Sequence, residues 1–407
     1  MPTVQQFHQA QRRVATFYKD LLHNANDLYE KGGESARNGL SLFDLEWENI
    51  RFGWAWAVKN IEKNNVAEEL CTDYPTVGAK ILDLRLSSRD RLEWLDVALQ
   101  AAGKLHRPPA EGKHLAEMGL AYYELSKLQM AIGCYEKAIE IFRSVGDRRN
   151  EGRSLGNLGL AYAGKGEFRR AIEFYEQHLI IARELGDTRG ESNALENLGN
   201  AYKNINELSR ALEFHNQSLK LAQELGDRYG EGTSFNDIGN VYFEKYEYER
   251  AIHYYDKGLL ISQEIGDRTT EGHALGNIGL ANYKLKNLHD AIKYYERALV
   301  IDEELGTQHG KSETLNELGR AYADLGEPNR GLKICEQALR IKQEIGDIRG
   351  EANAYWHNAY CLYILGERQQ AIELAERAYE MLMELGIEDS TTKEIRKYLA
   401  KWRSEHE

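Results

Sequence analysis

Residues 191–226 read ESNALENLGNAYKNINELSRALEFHNQSLKLAQELG. Moved forward by 40 residues, the stretch meets GTSFNDIGNVYFEKYEYERAIHYYDKGLLISQEIG, ending at Gly266. Moved back, it meets SLGNLGLAYAGKGEFRRAIEFYEQHLIIARELG, ending at Gly186. An internal repeat of this length marks a chain whose units bury their apolar faces against one another.

Each unit reads as two helices. In the first, Leu195, Leu198, Ala201 and Tyr202 recur at helical spacing, and the pattern breaks near Asn206-Glu207. It resumes with Leu208, Ala211, Leu212, His215, Leu219 and Leu221, which leaves one wide apolar face. Small residues recur where the two helices must approach: Gly119, Gly159, Gly199, Gly239, Gly279 and Gly319 in the first helix, and Ala131, Ala171, Ala211, Ala251 and Ala291 in the second. A helical glycine costs about 1 kcal/mol relative to alanine, so its recurrence predicts close packing. The dyads Gly146-Asp147, Gly186-Asp187, Gly226-Asp227, Gly266-Asp267 and Gly346-Asp347 predict a left-handed cap on one helix and an aspartate cap on the next.

The period holds seven times, over 106–386. Upstream, 1–105 is helical in pattern but outside the repeat, with helices expected at Val4–Glu30, Phe43–Asn60, Ala67–Leu84 and Arg89–Lys104. Trp47, Trp54, Trp56 and Trp94 cluster there, which fits a packed core better than an aromatic ligand site. Pro108-Pro109 marks the boundary. Downstream, 387–407 reads as a polar capping helix opened by a capping box at Thr391-Thr392-Lys393-Glu394. The expected fold is all-α.

A formal charge of −13 without a basic run argues against a nucleic-acid partner. Cys71, Cys134, Cys335 and Cys361 lack the spacing of a disulfide scaffold or zinc site. No stretch is apolar enough to span a membrane, and MPTVQQFHQAQRRV lacks a signal core, so a soluble, cytoplasmic protein is expected. Gly306-Thr307-Gln308-His309-Gly310-Lys311-Ser312 looks like a phosphate loop, but it is one residue short, follows a helix, and stands in register with Gly226–Glu231. Twelve histidines form no metal-ligand spacing, and no carboxylate pair stands out as acid and base. Neither catalysis nor a cofactor is expected.

The unit resembles the tetratricopeptide repeat, on the match of Leu195, Leu198-Gly199, Tyr202 and Ala211, although His215 and Ser218 replace the usual aromatic and alanine, and the repeat is longer than the family's common form. The longer form is similar to the repeats of LGN-related spindle-orientation adaptors and to the repeat arms of bacterial NB-ARC (STAND) signalling ATPases. The segment SLFDLEWENIRFGWAWAVKN, 41–60, is similar to the helical lead into those arms. The resemblance implies a right-handed α-solenoid of helical hairpins that binds a protein or peptide along the concave face of its first helices. It carries no nucleotide-binding domain with it.

On that face one row reads Glu117, Asn157, Asn197, Asp237, Asn277, Glu317, His357. A second reads Leu120, Leu160, Asn200, Asn240, Leu280, Arg320, Tyr360, and a third Tyr123, Ala163, Lys203, Phe243, Tyr283, Ala323, Tyr363. Asn236 and Asn316 stand one residue before the first row and are expected at its edge. An asparagine amide both donates and accepts, so a ladder of them suits an extended backbone of any sequence. Repeat duplication of solvated asparagines would leave the same pattern. Trp356, Tyr360 and Tyr363 are expected either to anchor a ligand at the far end or to meet the C-terminal cap. The first function expected is a protein-interaction scaffold, and the second a sensing arm that controls a separate effector.

Overall fold

A computed structural model describes residues 4–404, and the chain divides into two compact units, Met1–Asn206 and Glu207–Glu407. Among the described residues every regular element is an α-helix.

The first unit opens with α1 (Val4–Glu30) and α2 (Gly33–Asn60). Gly32 and Gly33 both take positive φ, and α2 begins at once, ten residues before the expected start at Phe43. The expected helix 67–84 is broken into α3 (Asn65–Val77) and α4 (Ala79–Arg85). The break falls at Gly78, and a distant side chain holds it: Asn26 of α1 accepts from the backbone N–H groups of Lys80 and Ile81 at 3.0 and 3.2 Å, capping α4 from outside. Next comes α5 (Ser88–Lys104), capped by Ser87. Trp54 stacks on Trp94 at 4.4 Å and the Tyr74 hydroxyl donates to the Ala15 carbonyl, so the tryptophans fill a core among these helices.

Two full hairpins and the first helix of a third complete the unit: α6 (Pro108–Glu124) with α7 (Leu128–Val145), α8 (Arg148–Gly164) with α9 (Phe168–Leu185), and α10 (Thr188–Asn204). The second unit begins with α11 (Leu208–Leu225). Hairpins follow of α12 (Arg228–Glu244) with α13 (Tyr248–Ile265), α14 (Arg268–Lys284) with α15 (Leu288–Leu305), α16 (Gln308–Asp324) with α17 (Pro328–Ile345), and α18 (Ile348–Leu365) with α19 (Arg368–Glu384), before the terminal α20 (Ser390–Ser404).

The hinges form as their composition dictates. Gly146, Gly186, Gly226, Gly266, Gly306 and Gly346 are left-handed, with φ between 62° and 72°. Asp147, Asp187, Asp227, Asp267 and Asp347 each accept a backbone N–H three residues on. Thr307 makes no such cap, because its hydroxyl donates to Asp302 instead. In four hairpins the small residue admits a tyrosine, whereas Gly319 faces Cys335. A Cβ on Gly119, Gly159, Gly239 or Gly279 would lie 2.5–2.8 Å from a ring atom of Tyr135, Tyr175, Tyr255 or Tyr295 on the paired helix.

Candidate functional site

Successive first helices touch one another within each unit: α6 with α8 and α8 with α10 in the first, then α12 with α14, α14 with α16 and α16 with α18 in the second. Their sides away from the second helices therefore adjoin in each unit, where the three rows are expected.

In the first unit the rows mix half-buried apolar residues, Leu120, Tyr123, Leu160 and Ala163, with polar ones. Asn157, Asn197, Asn200 and Lys203 are half-buried. Among the described residues, the side-chain amides of the three asparagines bond to no protein group. Asn197 and Asn200 sit three apart on α10, with Lys203 three further on, so they share one strip. Burial raises the carboxyl pKa of Glu117, despite Lys80 and Arg91 nearby.

In the second unit the face is largely engaged by its own chain. Asn240 Oδ1 accepts from Tyr255 Oη at 2.9 Å and from Asn277 Nδ2 at 3.3 Å, so that rung of the ladder is tied across α12 and α14. Phe243 is half-buried, edge-on to Tyr248. Asn236 and Asn316, expected at the edge, are buried. The Asn236 side chain reaches toward Gly258 of α13, where an added Cβ would meet Oδ1 at 2.6 Å. Tyr283 is buried too; its hydroxyl and that of Tyr360 donate to the two oxygens of Asp324 at 2.7 and 2.6 Å.

Trp356, Tyr360 and Tyr363 meet α20. Trp356 is 1 % exposed and packs on Trp402 and Tyr398; Tyr363 stacks on Trp402 at 4.4 Å, and Tyr360 lies edge-on to Tyr398. Of the two roles expected for this aromatic end, contact with the terminal helix is the one the structure displays. Arg320, one repeat earlier, also reaches α20: Nη2 donates to Glu394 Oε1 at 2.6 Å, and its guanidinium lies 4.8 Å from the Tyr360 ring. The expected capping box at Thr391–Glu394 does not form. Asp389 caps α20 through the Thr392 N–H, and Glu394 is taken by Arg320. Burial, reinforced by Arg320, lowers the His357 pKa to about 3, and burial raises that of Glu317.

Asp324, Tyr398 and Trp402 were not foreseen as part of the face. Glu394, Tyr398 and Trp402 fall at i, i+4 and i+8, a helical stripe readable in the sequence, but nothing local says where it docks. His215, a packing position, is buried with Nδ1 3.8 Å from Asp237 Oδ2. Among the described residues no cluster of His, Cys, Asp and Glu could hold a metal ion, and no helix is long and apolar enough to cross a membrane.

Profiles described as tetratricopeptide repeat match residues 112–184, 230–304 and 310–384, and another of the same description matches 194–229. The chain belongs to the tetratricopeptide repeat family. No curated protein sequence matches it. Solved structures that are similar to this tetratricopeptide repeat protein include the apo quorum sensor NprR from B. thuringiensis, at 14% identity and TM-score 0.61, covering 85% of this chain and 96% of that one. Aspartyl phosphate phosphatase F from Bacillus subtilis is 13% identical, with TM-score 0.59 and coverage of 94% and 95%. A STAND protein with a tetratricopeptide repeat sensor from Pyrococcus horikoshii is 16% identical, with TM-score 0.58 and coverage of 98% of this chain and 68% of that one. At these identities the likeness is one of fold.

Proposed function

We propose that this tetratricopeptide repeat protein is a non-catalytic adaptor that holds a peptide or helix of a partner protein against the inner faces of its first helices. The observation that carries the reading is the strip Asn197, Asn200 and Lys203 on α10, joined by Asn157 on α8, where amides stand half-buried without protein partners. Two or three such amides can exchange donor and acceptor bonds with an extended backbone, while the lysine favours an acidic side chain. In this reading 1–105 serves as a helical platform, 106–386 as the seven-repeat array, and 387–407 as the cap, in a cytoplasmic protein.

The test is capture of partners from the native source by wild type and by an Asn197→Ala, Asn200→Ala, Lys203→Ala variant of unchanged helicity. Loss of the captured partner is expected. Equal recovery by both would remove the assignment of this strip.

A second reading, a sensing arm for a separate effector, draws on the word sensor in the names of two similar structures. A ligand-dependent change in small-angle scattering would favour it.

A further inference from the structure

The terminal helix covers more than a cap requires. To seal the last repeat, α20 need only cover α18 and α19, and Ile395, Leu399 and Trp402 do so from a shared core. Glu394 nevertheless reaches past α18 to Arg320 on α16, whose side chain is 12% exposed. Glu394, Tyr398 and Trp402 stand at i, i+4 and i+8 and meet Arg320, then Trp356 and Tyr360, then Trp356 and Tyr363. Arg320, Tyr360 and Tyr363 belong to the rows of the inner face, and Trp356 stands one residue before them. An acidic–aromatic–aromatic stripe therefore lies on a basic–aromatic surface as a bound helix would.

The fit is incomplete in its polar groups. Trp356 Nε1, Trp402 Nε1, Arg320 Nε, His357 Nδ1 and Asn316 Oδ1 are buried without hydrogen-bond partners among the described residues. An unmet buried donor or acceptor weakens the arrangement that buries it. Trp356 stacks on Trp402, Arg320 lies against Tyr360, and His357 feels the Arg320 charge, so four of these groups belong to the contact of α16, α18 and α20 and are left unsatisfied there.

We propose that the inner face of α16 and α18 is a docking site for an amphipathic helix carrying an acidic residue followed at i+4 and i+8 by aromatic residues, and that α20 is its exchangeable intramolecular occupant. The inference rests on the inner-face reading above and adds the chemistry of the partner: Arg320 selects the acid, and Trp356, Tyr360 and Tyr363 select the two rings. A partner helix of this pattern competes with α20 and gains access when α20 lifts. The docking site and the asparagine strip on α10 are separate tests, since neither variant set touches the other.

The experiment uses the full chain and, as probe, a fluorescent peptide with the sequence of 387–407. Glu394→Arg and Trp402→Ala each weaken the seated helix. Either change is expected to tighten peptide binding at least tenfold over wild type. In the Trp402→Ala chain, adding Arg320→Glu should abolish binding, and a peptide carrying E394R should restore it. Replacing Glu394, Tyr398 and Trp402 in the peptide by alanine should also abolish binding. If Trp402→Ala lowers helicity, Glu394→Arg decides, because that side chain is one-third exposed and outside the apolar core. Equal affinity for wild type and Glu394→Arg, or indifference to the Arg320 swap, overturns the proposal. Dimerisation of the weakened chains without peptide binding assigns the face to a second copy and overturns it as well. Any of these failures leaves the result of partner capture by the α10 strip unaffected.

Discussion

Arg320 on α16 and Glu394 on α20 are 74 residues apart in sequence and 2.6 Å apart in space. The pair ties the terminal helix to a repeat it does not follow. Removing the guanidinium takes away a charge-assisted bond and a cation–π contact with Tyr360 while leaving Glu394 half-buried. Arg320→Ala should therefore cost about 2–3 kcal/mol, measured by urea denaturation. Glu394→Gln keeps a hydrogen-bond acceptor and should cost about 1 kcal/mol. Equal costs for the two would mean that the charge on Glu394 dominates the pair.

The repeat glycines make opposite predictions according to what faces them. A Cβ at Gly159 would lie 2.5 Å from Tyr175 Cε1, so Gly159→Ala must push a buried ring aside. The expected cost is about 1–2 kcal/mol, after a helix-propensity gain of about 1 kcal/mol. Gly133, inside α7, has nothing within 4 Å of its would-be Cβ. Gly133→Ala should stabilise by up to about 1 kcal/mol. Thermal unfolding of the two variants should move in opposite directions.

What was legible in the sequence follows from the range of the forces involved. The hinge caps and the glycine–tyrosine contacts are local or repeat every 40 residues, so periodicity exposes them. The break before α4 falls at Gly78, three residues after Pro75, and is capped by Asn26 from more than fifty residues upstream, a partner no local pattern announces. Likewise the turn residues Tyr246 and Lys286 adopt left-handed φ of 62° and 65° although neither is glycine or asparagine. Closure of the hairpin imposes that conformation against residue preference. The first helices were legible, with a set of candidate positions along each. Which of them stay open was not, because Asp324, Gly258 and α20 decide it through tertiary contacts.

The hinge at Thr307 departs from its siblings because of Asp302. That carboxylate accepts from the Thr307 hydroxyl at 2.8 Å and from the Thr314 hydroxyl at 2.9 Å. Thr307→Asp restores the residue used at the other hinges but sets two carboxylates together. It should gain nothing or lose up to about 0.5 kcal/mol. In an Asp302→Ala background the same change should recover a helix cap of about 1 kcal/mol. A double-mutant cycle by urea denaturation should thus give a coupling of about 1 kcal/mol or more. Zero coupling would show that Asp302 does not govern the hinge.

Burial lowers the pKa of His114, His178 and His357 and so weakens the fold in acid, the larger shifts falling at His114 and His357. Burial, helped by Lys113, lowers the His114 pKa to about 4 against a smaller opposing hydrogen bond that the imidazole donates to the Thr72 backbone; burial, helped by Arg320, lowers that of His357 to about 3. The unfolded chain takes up a proton near pH 6.5 at each site and the folded chain does not. Stability is therefore complete above pH 6.5 and is lost as pH falls toward 4 and 3, by about 1.4 kcal/mol per pH unit for each histidine. Glu117 and Glu317, whose burial raises their pKa, act in the opposite sense: the folded state prefers them protonated, so acidification favours it through them. Comparison with variants separates the contributions. His114→Gln and His357→Gln cannot take up the proton, so each should flatten the fall in unfolding free energy between pH 6.5 and 4 by about 1.4 kcal/mol per unit. Urea titrations at pH 7.5, 6 and 5 measure it, and slopes parallel to wild type would place the acid sensitivity elsewhere.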